Sequence, residues 1–176
     1  MLDNTRPSAS DTDPASLRLW GPVLEAGPDY LTIDNRADLS CRGPVVLLLD
    51  AGSRLLSAGD GLPVSIASLS PDTPVCAYIS PAMTLSLPPR VYAPMILCDL
   101  PADWRLPEYV TVRRFEKMPD GSYRLTSGVL TYHIPADCPI IPHLRRIRVT
   151  LEDITPGSTC LIWHRVSGRA DRIVLF

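Results

Sequence analysis

The chain has 176 residues, 45% of them apolar and 20% charged, with a formal net charge of −2. That composition excludes a wholly disordered polymer and leaves room for one large core or two small ones. Nineteen prolines, about twice ordinary usage, exclude long helices over most of the length and favour short strands joined by proline-marked turns.

Residues 1–16 are polar, lack the apolar centre of a secretory signal and read as a disordered tail. With Met1 as the native start, the expected compartment is the cytoplasm; with a leader removed, it is the cell envelope. No membrane span is expected. The apolar run Val45–Leu49 is five residues long, against the roughly 18 that a spanning helix needs.

Strands are then predicted over 17–25, 30–35 and 44–50, with Pro28-Asp29 turning the first into the second. A short irregular stretch leads to one helical turn at 64–69. A turn at Pro71-Asp72 precedes strands at 74–80 and 91–98. After a break near 101–107 the same order returns. Strands are predicted at 109–117, 122–127 and 129–134, a helical turn at 149–154, and strands at 159–164 and 170–176. In 129–134 the period of two puts Leu130, Tyr132 and Ile134 inward, with Thr131 and His133 outward.

That recurrence is visible as self-similarity. At an offset of 85 residues, Gly43–Tyr78 falls on Gly128–Trp163 without a gap. Leu55-Leu56 then meets Ile140-Ile141, and Ser70-Pro71-Asp72-Thr73 meets Thr155-Pro156-Gly157-Ser158. Ala93–Cys98 matches Ala170–Leu175 at an offset of 77, so the first repeat carries eight additional residues inside Ser80–Arg90. Upstream, Leu24-Glu25 and Pro28-Asp29 are set against Phe115-Glu116 and Pro119-Asp120. The expectation is an all-β chain made by tandem duplication. It comprises two small five-stranded barrel-like or sandwich domains with short helical turns, at 17–103 and 104–176. A single merged sandwich is the competing arrangement.

Two segments carry a resemblance: Tyr78–Arg90 and Val149–Cys160, the latter followed by Ala170–Leu175. Over residues 17–176 the chain resembles an uncharacterised family of two-repeat small β domains from Gram-positive gut bacteria. Relatives of that family accompany cell-surface stalk-type domains. The resemblance implies a β fold and no established activity or catalytic residue. Its most specific stretch is Pro81-Ala-Met-Thr…Pro88-Pro89, where Arg90 stands in place of an expected glutamine.

The inserted loop, with Met83, Thr84, Leu85, Leu87, Pro88, Pro89 and Arg90, is the expected contact surface of a non-enzymatic binding or interaction module. Its partner is an unidentified protein or a second copy of the chain. The alternative is single-stranded nucleic-acid binding by an arginine-rich face of the second repeat: Arg113, Arg114, Arg145, Arg146 and Arg148, with Arg124, Arg165, Arg169 and Arg172 as further cations and Tyr123, Tyr132 and Trp163 as aromatics. Residues 1–104 carry −6 and residues 105–176 carry +4. The overall acidity weighs against that alternative. His133, Cys138, His143, Cys160 and His164 lack the close pairing of a zinc site, so no metal or cofactor is expected, and the five cysteines read as reduced packing residues. No nucleophile motif or phosphate loop is present, and Ala58-Gly-Asp-Gly61 reads as a turn.

Overall fold

The computed structural model describes residues 17–37, 41–143 and 148–176; the predicted tail 1–16 lies outside the described residues. The described chain is all β, apart from two single 3-10 turns at Ile66–Ser68 and Leu151–Asp153. The first half holds β1 (Arg18–Ala26), β2 (Tyr30–Asn35), β3 (Gly43–Leu48), β4 (Arg54–Ser57), β5 (Pro74–Tyr78), β6 (Arg90–Tyr92) and β7 (Met95–Cys98). The second holds β8 (Glu108–Thr111), β9 (Arg114–Lys117), β10 (Tyr123–Ser127), β11 (Leu130–Ile134), β12 (Ile140–Pro142), β13 (Thr159–His164) and β14 (Ala170–Leu175).

In the first half the strands lie in the order β4-β7-β5-β1-β2-β3-β6. β6 and β7 are parts of one segment, separated only by Ala93-Pro94, so the pairings return to where they began. β3 pairs in parallel with β6, while β5 pairs antiparallel with both β7 and β1. Proline explains the interruption, because Pro94 has no N–H to give the ladder. β1 changes partners along its length: Arg18–Pro22 lie against β5, and from Val23 onward, with a bulge between Val23 and Glu25, it lies against β2.

The second half repeats these pairings. β12-β14-β13-β8 form one sheet and β11-β10-β9 another. In the parallel pair β4–β7, Leu55 lies opposite Ile96; in β12–β14, Ile140 lies opposite Ile173. Ala77 faces Ile96 as Ile162 faces Ile173. Where β1 bulges, the second half breaks into β8 and β9, yet the hydrogen bonds there are the same. Val23 N donates to Thr73 O and accepts at its own oxygen from Asp72 N; Val112 N donates to Ser158 O and accepts from Gly157 N. The final pairing differs in extent. Three residue pairs join β3 to β6, whereas one bridge, His133 to Arg169, joins β11 to the chain before β14.

Period-two alternation fills each half. In β2 every second residue is buried, sending Leu31 and Ile33 inward beside Val45, Leu47, Val75 and Val91. The second core gathers Val110, Leu125, Tyr132, Ile134, Ile162 and Ile173. Each such aliphatic side chain contributes about 1.5–3 kcal/mol on full burial. A third cluster lies between the halves, where Leu56, Tyr78, Met95 and Leu97 meet Leu161, Val174, Tyr109 and Trp163. Polar bonds pin this seam. Tyr78 OH donates to Pro107 O at 2.7 Å and Trp163 Nε1 to Ala58 O at 2.8 Å, and Arg172 reaches Gly59 O at 2.6 Å. The turn at 58–61 therefore receives the second half, and Gly61 is required there. Its φ is +76°, and a Cβ would stand 2.7 Å from the Trp163 ring.

Several expectations need correction. The stretches read as irregular at 54–57 and 140–142 are strands, because their apolar residues pair in parallel with a distant segment that no local pattern announces. The predicted strands 109–117 and 91–98 are each broken in two. Leu130, predicted inward, is exposed at the hairpin end just after Gly128 (φ 54°), beyond the reach of the core. The upstream correspondence also shifts by two residues, since the register aligns Glu25 with Arg114 through their partners Thr32 and Thr126.

Candidate functional site

The inserted segment forms a stiff arm. Thr84 N donates to Arg90 O at 2.9 Å and Arg90 N donates to Thr84 Oγ1 at 2.8 Å, closing the base. Ser86 Oγ donates to Pro88 O at 2.9 Å across the tip, and Val46 N donates to Pro89 O, tying the arm to β3. Met83 turns the other way, packing against the first core and standing 3.6 Å from Cys41 Sγ. The loop thus divides into a structural residue, Met83, and an exposed tip. Leu85 and Leu87 are fully exposed, with Thr84, Pro88 and Arg90 also at the surface.

Beside the arm lies the outward face of β2-β3-β6. Register places Tyr30, Leu48 and Tyr92 in one row across the three strands, and Thr32, Val46 and Arg90 in the next. Both tyrosine hydroxyls donate to carboxylates: Tyr30 to Glu25 at 2.6 Å and Tyr92 to Asp50 at 2.9 Å. The bond from Tyr92, reinforced by Gly52 N and Ser53 N, holds the Asp50 carboxyl below the usual range. Hydrogen bonding to Glu25 raises the Tyr30 phenol.

The same row in the second half is chemically opposite. Where Tyr30 pairs with Leu48 and Leu48 with Tyr92, Arg124 pairs with His133 and His133 with Arg169. All three are exposed. Beside them Arg114 is held by Glu116 at 2.8 Å. A cavity of about 390 Å³ opens at one end of this row, where the turn at Met118–Asp120 meets Tyr123, Arg124 and His133.

The arginines named from sequence do not gather into one face. Arg113 and Arg114 are exposed near β9, and Arg114 spends its charge on Glu116; Arg148 is exposed in the chain before the second 3-10 turn. Arg145 and Arg146 lie outside the described residues. Arg165 is paired with Asp171 at 3.0 Å, and Arg172 covers the Trp163 ring at 4.3 Å. Arg124 and Arg169 are among the arginines named from sequence, but their place on either side of His133 is not readable there, because β10, β11 and the chain before β14 meet only in the fold. Outward alternation of His133 was its one local signal.

The cysteines are free, and all but Cys41 are buried. Burial pushes the Cys76, Cys98 and Cys138 thiols up to about 11 and Cys160 to about 12, which suppresses the reactive thiolate. His164 packs its ring against Tyr132 and His143 against Phe176, and among the described residues no group of three His, Cys, Asp or Glu is placed to hold a metal. No helix among the described residues is long and apolar enough to cross a membrane. The chain matches no protein-family model, no curated protein and no solved structure.

Proposed function

We propose that the protein is a non-enzymatic interaction module made of two copies of one five-stranded barrel, with the arm at 83–90 as a protein-contact surface. The recurrence of parallel and antiparallel pairs at matching residues supports the duplication. The order β1-β2-β3-(β6/β7)-β5, returning to β1, supports a barrel, and closure leaves few free edges. The observation that carries the binding role is the arm itself. Two leucines stand fully in solvent on a loop already fixed by its own hydrogen bonds, so docking them costs little further ordering. The test is affinity capture from a native lysate with wild type and with Leu85→Ser/Leu87→Ser, read by mass spectrometry. The reading expects a discrete set of proteins lost from the variant at unchanged thermal stability. Identical recovery by both proteins contradicts it.

A second reading, single-stranded nucleic-acid binding, is favoured by the row Arg124–His133–Arg169, which uses two of the arginines named from sequence, and not by Arg113, Arg114 and Arg148. Titration of a labelled oligonucleotide tests it. Affinity must fall as salt rises and be lost in Arg124→Ser/Arg169→Ser; absence of binding at low salt contradicts it.

A further inference from the structure

We infer that the tyrosine face of one molecule receives the cationic row of a second copy, so that the protein associates head to tail. The inference goes beyond the arm and does not depend on it, so Leu85→Ser/Leu87→Ser should associate as wild type does.

Three observations lead there. The first is spacing. Tyr30 and Tyr92 stand two strands apart, about 10 Å at ordinary strand separation, with Leu48 between them. Arg124 and Arg169 occupy the corresponding positions around His133, so the two rows have the same span. Two guanidinium groups carried at that span can each meet an aromatic face.

The second is charge. Glu25 and Asp50 are bonded to the two tyrosine hydroxyls, and Asp34 lies on the same face of β2, paired with Arg36 at 3.5 Å; Arg36 and Arg90 are cations on that surface, against three carboxylates. The opposite row carries Arg124, His133 and Arg169, with Glu116, itself paired with Arg114, beside Arg124 and with Asp120 in the cavity beside His133. A guanidinium laid on a tyrosine ring with a carboxylate at the ring's edge gains cation–π attraction and an ion pair together. Phosphate is the poorer occupant of the tyrosine face, because the same carboxylates repel it. The seam already uses this chemistry within one molecule, Arg172 lying over Trp163 at 4.3 Å and Arg18 over Tyr78 at 5.7 Å.

The third is preorganisation and placement. Tyr30 is laid against Gly27, where a Cβ would stand 2.1 Å from the ring, so the ring position depends on that glycine. The seam takes side chains from β4, β5 and β7 of the first half and from β8, β13 and β14 of the second, so β2-β3-β6 and β10-β11 contribute no residue to it. Two unlike complementary surfaces, one on each half of the molecule, make a heterologous contact, which propagates instead of closing on a two-fold axis.

The test is sedimentation velocity on the full chain across a concentration series at low and high salt. Wild type is expected to form dimers and longer species at low salt and to dissociate as salt rises. Tyr30→Ala/Tyr92→Ala and Arg124→Ser/Arg169→Ser should each remain monomeric alone. Mixed, they should form a one-to-one dimer that grows no further, because each supplies the face the other lacks. Glu25→Gln/Asp50→Asn keeps both rings and should weaken association at least about tenfold, which covers the case in which loss of Tyr30 unfolds the first half. Wild type that stays monomeric at low salt at every concentration overturns the inference, as does a mixture that stays monomeric. If wild type is monomeric and the row instead binds an oligonucleotide lost in Arg124→Ser/Arg169→Ser, the row serves nucleic acid and the inference fails.

Discussion

The two halves solve one packing problem with the same pairings and then present opposite surfaces. Inside, Ile96 and Ile173 hold corresponding places between a parallel and an antiparallel neighbour. Outside, Tyr30–Leu48–Tyr92 becomes Arg124–His133–Arg169. The interior is constrained by volume and by hydrogen bonding, so apolar residues recur there. Outward positions answer to water or to a partner and can change sign without cost to the core. In this protein the place to look for function is therefore the outward row.

The largest expected effect comes from the seam, which makes the comparison one between parts of a single cooperative unit. Leu97 and Leu161 are fully buried there, one from each half. Leu97→Ala or Leu161→Ala should cost about 2–5 kcal/mol in urea unfolding, through lost burial and the cavity left behind. Either change should lower one transition for the whole chain. Two separated transitions would mean that the halves fold independently.

A smaller effect is expected at the turn that receives the second half. Gly61→Ala forces a side chain into the left-handed region, about 1–2 kcal/mol from the backbone alone, and presses on Trp163. Thermal unfolding measures the loss, and the Trp163 fluorescence maximum should move to longer wavelength as the ring is displaced from Ala58 O. An unchanged melting temperature would show that the turn is not a docking point.

The thiols sharpen the comparison in a different way, because both halves bury theirs. Cys76 and Cys98 in the first half match Cys138 and Cys160 in the second in being raised to about 11 or 12 by desolvation. A raised thiol pKa contributes stability that is fully present below 9.0, the value of the unfolded thiol, and is lost as pH climbs toward 11 and 12. Native protein at pH near 8 should alkylate at the half-buried Cys41 and at none of the other four until it unfolds. Rapid alkylation of Cys138 or Cys160 would mean that the second core opens more readily than the first.

Much of this was legible in the sequence, for identifiable reasons. The ungapped offset of 85 residues from Gly43 to Tyr78 already set Leu55 on Ile140, and the later offset of 77 set Ile96 on Ile173. The insertion at 80–90 followed from the difference, and the structure finds the exposed arm there. What could not be read was anything made by strands brought together from different offsets. The parallel pairs β4–β7 and β12–β14 join segments about 40 and 30 residues apart by non-local hydrogen bonds. The row Arg124–His133–Arg169 needs β10, β11 and the chain before β14 placed side by side before its members become neighbours. Nearness along the chain, as in Arg113-Arg114, does not make a shared face: Arg113 stands at the bend before β9, and Arg114 is paired with Glu116.

The most direct test of the shared scaffold is detection of through-hydrogen-bond couplings by NMR at the corresponding closures of the two rounds. Couplings are expected from Val46 N–H to the Pro89 carbonyl and from Ala93 N–H to the Leu48 carbonyl in the first half, and from His133 N–H to the Gly168 carbonyl in the second. Their presence would establish that both halves close at the same place, the first with several bonds and the second with fewer. Absence of the His133 coupling, with the first-half couplings intact, would contradict the account by leaving the second half an open sheet without the cationic row.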